Sequence, residues 1–494
     1  MKKSLLFLGL LGFAGHANAQ TNPWTIVNVP TSNILGQSNI VNLSTLSPTM
    51  VWGVTSDKVA STAPASIPRN FIRSNNAAGD QFDWGEISVT SGPTKSSTVG
   101  NISGINATTA VACSFPGSTF DGAATYGGEI VKTTNGGQSW TKVTTAAQFA
   151  GGFCNWVHMF DATTGVALGD PTNGAFEILR TTDGGTTWNR LTSNIPAPLA
   201  NEYGNAGAYF ALGNTIWVGM ASSSQTAQVR VFKSTDKGLT WTASAPTPIT
   251  YLIDKVAFKD ANNGIAFGYN TANNQVSSVT YARTTDGGAT WSQITPTNNA
   301  NGNFYRNDLD AVNGVYYSTG PRFPVPATNQ APEDFGSSYS TDGVNWTTIT
   351  LSGTTLNAPG YFFSMDLVPG TTPGTTAGYS GLYTDVNGVG GIYKYAGAIT
   401  GTATRNAALQ SALNVYPNPS ASGVFNVDLG SELKTGAQLT VSDALGRQVK
   451  SQTLNAAAIG SRKINLDLSG EKTGVYTLQI RTEAGLATQK IVID

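Results

Sequence analysis

Charge is what this chain has least of. Of its 494 residues 12% are charged, and the formal net charge is -1; the charged share is about half the usual one. That excludes a basic field able to collect nucleic acid or to hold an anionic membrane. Histidine is nearly absent. The chain has two; His16 sits in the N-terminal segment and His158 stands alone. A histidine-based metal centre is thereby excluded. No G-x-S-x-G elbow occurs, and a Ser–His–Asp triad would have to draw its base from His158. Asp385–Gly388 begins like a calcium loop but lacks the later acidic ligands, so it reads as a β-turn. No metal site and no cofactor are expected. Cysteine is limited to Cys113 and Cys154. Beyond residue 19 no apolar run is long enough to span a bilayer.

Glycine is plentiful, at 56 residues, and Ser, Thr and Asn fill much of the rest. Short strands joined by many tight turns need that composition. The N-terminus has the layout of a removable signal peptide, residues 1–19. Lys2 and Lys3 supply the positive end, Leu5 to Ala14 the apolar stretch, and Ala17-Asn18-Ala19 the small-residue cleavage site. The mature chain is expected to begin at Gln20. No Cys follows the apolar stretch, so a lipid anchor is not expected there. The protein is expected to leave the cytoplasm for the periplasm, where disulfides can persist.

A turn followed by Trp recurs along residues 20–397. It appears at Thr133–Trp140, Thr181–Trp188, Ser234–Trp241 and Thr284–Trp291, one residue shorter at Ser340–Trp346, and stretched at Ser74–Trp84. Successive Trp residues from Trp84 are 56, 48, 53, 50 and 55 positions apart. A period of about fifty residues is the size of one four-stranded propeller blade. A second repeat, an apolar strand, a turn and a small-residue strand, occurs seven times. Its copies are Val41–Val54, Ile102–Cys113, Val157–Gly169, Ala206–Gly219, Lys255–Gly268, Asp308–Gly320 and Phe363–Gly378. The seventh copy is followed by Gly391–Tyr395, with no Trp turn and no fourth strand. Trp24–Val29 resembles the strands after the Trp turns and is expected to supply that strand. This predicts an all-β chain with a seven-bladed β-propeller, six blades being the alternative, closed by its N-terminal strand. Closure matters because an open ring leaves sheet edges exposed.

The Trp turns resemble the Asp box, S/T-x-D-x-G-x-x-W, of sialidase-like, sortilin-like and photosystem-assembly-factor propellers. The box residues are Asn135 and Trp140, Asp183 and Trp188, Asp236 and Trp241, Asp286 and Trp291, and Asp342 and Trp346. The Asp can bond the turn's backbone N–H groups, the Gly accepts positive φ, and the Trp packs back on the sheet. These are braces, not catalytic acids. The scheme puts Cys113 and Cys154 on one face of neighbouring blades, where a disulfide is expected.

Composition changes after Gly397. Residues 398–412, rich in Ala, Thr and Asn, read as a linker. Residues 413–494 hold alternating strands with Gly turns, which predicts a small Ig-like antiparallel β-sandwich. Their Leu413–Pro419 opening (with Tyr-Pro-Asn-Pro), the Asp443–Arg447 turn and the final Lys490–Ile493 strand closely resemble the type A sorting domain of the type IX secretion system of Bacteroidota. The resemblance implies two partners, the secretion translocon and a sorting peptidase, and then release or attachment to surface lipopolysaccharide. Arg447 is a candidate translocon contact.

Asp-box propellers have several activities, so the site must decide. A sialidase needs an arginine triad and usually an R-I-P motif; Ile67-Pro68-Arg69 has the order wrong. Of Arg69, Arg73, Arg230, Arg306 and Arg322, Arg73 and Arg230 sit ahead of boxes on outer strands. A glycoside hydrolase needs two facing carboxylates. The candidate acids are Glu202, Asp308 and Asp254, out of a channel-mouth set that also holds Asp161, Asp170 and Asp310. Trp156, His158, Tyr203 and Arg306 are candidate binding residues, because a sugar can stack and hydrogen-bond there. The reading favoured is a non-catalytic secreted module that binds a polysaccharide or a surface protein at the channel mouth. The alternative is a polysaccharide-acting glycoside hydrolase.

Overall fold

The computed structural model describes residues 23–27, 39–56, 68–87, 97–116, 128–150, 152–272, 275–297, 302–322, 335–349, 361–372, 374–383, 391–397, 407–430, 437–443, 448–454, 460–482 and 485–494. Residues 1–19, the 398–406 part of the linker, Asp385–Gly388 and Arg447 lie outside these. The described residues up to Gly397 form seven four-stranded antiparallel sheets. Six of them are meanders of consecutive strands, and the seventh takes one strand from the other end of the chain.

The innermost strands are Asn39–Ser47, Ser97–Gly104, Cys154–Met159, Glu202–Leu212, Lys255–Phe258, Asp308–Val312 and Tyr361–Pro369. Each neighbours the next, and the last neighbours the first. The result is a β-propeller, whose sheets we number as blades 1 to 7. Blade 7 takes its outer strand from the far end of the chain. Trp24–Val27 pairs antiparallel with Ile392–Gly397, Trp24 opposite Tyr395 and Val27 opposite Ile392. Trp24 is 3% exposed, and its Nε1 donates to Ser337 Oγ of blade 6 at 2.9 Å.

The Trp turns do the bracing their residues foretell. In blade 3, Asp183 Oδ1 accepts the Thr186 and Thr187 N–H groups at 3.0 and 2.9 Å. Burial pushes its carboxyl up, but those bonds, together with the Thr187 and Thr181 hydroxyls, outweigh it and hold the carboxyl down at about 2. Gly185 has φ 78°, and a Cβ there would lie 2.9 Å from Val111 Cγ1 of blade 2. The box is therefore a blade-to-blade contact as well as a turn. Trp140, Trp188, Trp241 and Trp346 are buried. In the stretched copy Asn76 takes the Asp's place, its Oδ1 accepting from Asp80 N and Gln81 N at 3.1 and 3.3 Å, while Trp84 stays 40% exposed.

The expected disulfide is a correction. Cys113 and Cys154 do meet, but both are free, buried thiols. Cys113 lies in the middle of Ala110–Pro116 rather than at its mouth end, and its Sγ contacts Asn101 Oδ1 at 3.0 Å. Burial, the Cys113 thiol and nearby Glu177 and Glu129 push Cys154 well above the usual thiol range.

Residues 414–493 form two further sheets. One pairs Asn414–Tyr416, Val424–Asp428 and Lys463–Asp467; the other pairs Gln448–Leu454, Ala437–Asp443, Gly474–Thr482 and Gly485–Ile493. Alternate residues of both, Phe425, Val427, Leu466, Leu439, Leu478 and Ile480 among them, share one apolar core. A short helix, Ala407–Ala412, precedes them.

Candidate functional site

The channel is held together by side chains that reach from one inner strand to the next. Asn42 Oδ1 accepts the Ile102 N–H and Ser44 Oγ the Gly104 N–H, both at 3.0 Å. Asn101 and Ser103 do the same for Val157 and Met159, both at 2.9 Å. In blade 6, Asp308 and Asp310 accept from Met365 and Leu367 at 2.8 and 2.6 Å, and in blade 7 Asp366 accepts from Thr45. Sequence reading missed this belt. Its signal was there, a polar residue at alternate positions of an inner strand, where period-two patterning aims those side chains at the next blade.

At the position of Ser44 and Ser103, blade 3 carries His158. The imidazole lines the channel against Phe160 and Tyr209, with ring centroids 4.7 and 5.4 Å away. Burial lowers it to about 4, so it is neutral near pH 7. Trp156 is 0% exposed, packed on Tyr209 inside the blade 3–blade 4 core. No ligand can stack on it, which corrects its assignment as a binding residue.

Glu202 is likewise a structural group. Its carboxylate is 3% exposed and takes two bonds from Arg230, at 2.9 and 2.5 Å, plus the Leu199 N–H at 2.9 Å. It braces the start of blade 4 and is withdrawn as a candidate acid. Asp161 lies in the turn after the blade 3 inner strand, away from the mouth, paired with Lys237 at 2.5 Å. Asp308 is the partner of Lys255, at 3.3 Å.

The strand-entry end of the channel, at blades 3 to 6, brings the remaining candidates together. Tyr203 starts the blade 4 inner strand and Asp254 immediately precedes that of blade 5. Tyr269 lies near the end of Gly264–Ala272, and Arg306 precedes the blade 6 inner strand, its N–H held by Pro321 O at 3.0 Å. Burial pushes the Asp254 carboxyl up to about 6; Asp308 adds repulsion, while Lys255 and Arg306 oppose it. Burial lowers the Arg306 guanidinium, and Tyr281, Tyr269 and Asp254 support its charge. Asp254 is the largest cause of the raised Tyr269 phenol.

Tyr203 is raised by burial, then by Tyr251 and Asp170. Asp170 itself accepts from Asn155 Nδ2 and Gly204 N at 2.8 and 3.2 Å, and burial raises it. Sequence reading missed Tyr251 and Tyr269. Tyr251 arrives on a segment that pairs with blade 4 through Gln228 opposite Thr250 and Ala221 opposite Leu252. It has φ 73°, unusual for a bulky residue, and is pinned by bonds to Ala227 O at 3.0 Å and from Ser222 N at 2.7 Å. Phe153 and Leu199, 43% and 48% exposed, begin blades 3 and 4 on the same face.

With the geometry described, similarity to known proteins can be placed. A family model described as a secretion system C-terminal sorting domain matches residues 414–494. No curated protein matches the chain. Among solved structures, YCF48 bound to D1 peptide is similar at 14% identity and a TM-score of 0.44, over 76% of this chain and 97% of that one. The GH74 xyloglucanase from Xanthomonas campestris is similar at 12% identity and 0.46, over 82% and 59%. A protein of unknown function from Dyadobacter fermentans is similar at 14% and 0.42, over 77% and 99%.

The chain is an exported β-propeller protein that carries a type IX secretion sorting domain at its C-terminal end. That domain directs it to the cell surface or the extracellular space. No helix among the described residues is long and apolar enough to cross a membrane.

Proposed function

We propose that this protein is a non-catalytic module that binds a polyhydroxylated extracellular ligand, a glycan, at the channel mouth between blades 3 and 6. One observation carries the reading. The carboxylate of Asp254, the guanidinium of Arg306 and the phenols of Tyr203, Tyr251 and Tyr269 gather at one rim of the channel. Phenol rings offer stacking faces, and the paired charges offer donors and acceptors set at fixed positions. The pinned backbone of Tyr251 fits a group held in place for a ligand. Residues 1–19 act as the signal peptide, 20–397 as the binding propeller, 398–412 as a linker, and 413–494 as the segment read by the translocon and removed by the sorting peptidase.

A glycoside hydrolase is the second reading, favoured by Asp254. A carboxyl raised to about 6 beside a second carboxylate, Asp308, is what a general acid requires. Calorimetric titration and reducing-sugar assays on one glycan panel separate the two. Saturable binding without turnover supports the module. Turnover abolished by Asp254→Asn overturns it in favour of the hydrolase.

A further inference from the structure

The belt around the channel is built from two chemistries. In blades 1 and 2 its acceptors are neutral, Asn42, Ser44, Asn101 and Ser103. In blades 6 and 7 they are carboxylates. Asp310 Oδ1 accepts the Ala311 N–H at 2.7 Å, and its Oδ2 reaches into blade 7 for the Leu367 N–H at 2.6 Å. Asp366 continues from blade 7 to the Thr45 N–H of blade 1. These bonds tie blade 7, where the two ends of the propeller chain pair, to the blades on either side of it. A neutral side chain does the same mechanical work two blades away, so the charge calls for its own explanation.

Few cations face these acids, and of those Arg481, from the C-terminal sandwich, lines the same cavity. Lys255 of blade 5 is paired with Asp308 and also lies in the field of Asp254. Tyr209 of blade 4 feels Asp366, and Tyr317 of blade 6 feels Asp310. His158 of blade 3 lines the same channel but is neutral near pH 7. Lys259, at the hairpin end of the channel, donates to Thr341 O and sits beside Asp260. Asp308, Asp310 and Asp366 thus crowd one narrow wall, and like charges at such range cannot all ionise cheaply.

We propose that the seam from blade 6 through blade 7 to blade 1 is a proton-linked latch: Asp310 and Asp366 retain a proton in the closed ring and release it to solvent when the seam opens. Burial holds Asp310 up at about 7, against its two N–H bonds and with Asp308 adding repulsion. It raises Asp366 well above the usual range, and Asp310 adds to that. The closed ring therefore binds more protons than the open one between about pH 4 and 7. Closure is tightest below that window and loosens as pH rises through it. This is the reverse of the ordinary behaviour of paired carboxylates.

The test compares the full chain with its Asp366→Asn variant, which keeps an acceptor for the Thr45 N–H and removes the charge. Unfolding is followed from about pH 5 to about pH 8.5. The ratio of the two unfolding constants should change by about tenfold per pH unit for one proton, in favour of the variant as pH rises. A ratio that does not change with pH overturns the latch. Infrared spectra of the unsubstituted protein keep the test decisive if the variant does not fold. A protonated-carboxyl C=O band titrating near pH 7, separable from one near 6 that belongs to Asp254, is expected. Its absence at about pH 5.5 also overturns the proposal.

Discussion

Trp24 and Tyr395 face each other across the last strand pair of the ring, their ring centroids 4.7 Å apart at an interplanar angle of 68°. Phe362 and Tyr393 pack on the same indole, at 5.3 and 6.3 Å. The first strand thus brings an aromatic anchor as well as backbone bonds to blade 7. Trp24→Ala should cost about 3–5 kcal/mol, the usual loss for truncating a fully packed Trp. Urea unfolding monitored by far-UV circular dichroism measures it. An unchanged midpoint would mean that the ring does not depend on this strand.

Glu202 and Arg230 are 3% and 13% exposed at the side chain. Their pairing is a buried, two-pronged one, and removing one charge leaves the other without compensation. Glu202→Gln should lower stability by about 3 kcal/mol. It should leave ligand affinity within about twofold, because the carboxylate does not face the mouth. The same unfolding experiment with a parallel binding titration decides it. Lost binding with full stability would restore Glu202 to the site.

The architecture was legible because propeller blades repeat. Trp turns at about fifty-residue spacing mark every outer hairpin, and Trp24–Val27 could be matched to them by likeness. The site was less legible because it depends on loops. Trp156 looked like a stacking platform on its residue type, yet the side chains of this inner strand alternate between the two neighbouring blades, Val157 toward blade 2 and Trp156 into the blade 3–blade 4 core. Glu202 stood at a strand start, but nothing local shows that Arg230, on a different stretch of blade 4, reaches it. Tyr251 has no motif; it reaches the rim through a left-handed backbone turn that no sequence pattern announces. The two cysteines were placed side by side correctly, but the depth of Cys113 within its strand was not.

The Asp boxes should govern the acid limb of stability. Asp183 and Asp286 are held at about 2, because turn N–H and hydroxyl groups bond the charged form more than burial penalises it. Folded values below the unfolded one mean that their contribution is present above about pH 4 and is lost as pH falls toward 2. Asp183→Asn, which keeps one acceptor but not the charge, should flatten that limb by removing the stability that the charged form adds above about pH 4. Thermal midpoints between about pH 2 and 5 measure the slope. A variant that is as acid-sensitive as the parent would remove the box from the explanation.

Cys154 should be inert in the native protein. A thiol raised by burial and by nearby acids carries little thiolate, which is the reactive form. Iodoacetamide at about pH 8 should modify neither Cys113 nor Cys154 until denaturant is added, and then both. Mass spectrometry of intact protein gives the count. Native-state labelling of Cys154 would show that the blade 2–blade 3 interface opens readily.

Arg306 is the residue on which the binding reading is most exposed to test. It stands at the blade 6 strand start, next to the Asp254 carboxyl and the Tyr269 and Tyr281 phenols. A planar guanidinium fixed among such groups offers donors in a set direction, which a lysine ammonium cannot copy. Arg306→Lys should keep the charge and still weaken glycan binding about tenfold, or about 1.4 kcal/mol. Trp156→Phe, altering an aromatic residue buried away from the rim, should shift affinity by less than about twofold while lowering stability. The reverse order, tight binding by Arg306→Lys and none by a folded Trp156→Phe, would move the ligand from the rim to the blade 3–blade 4 interface.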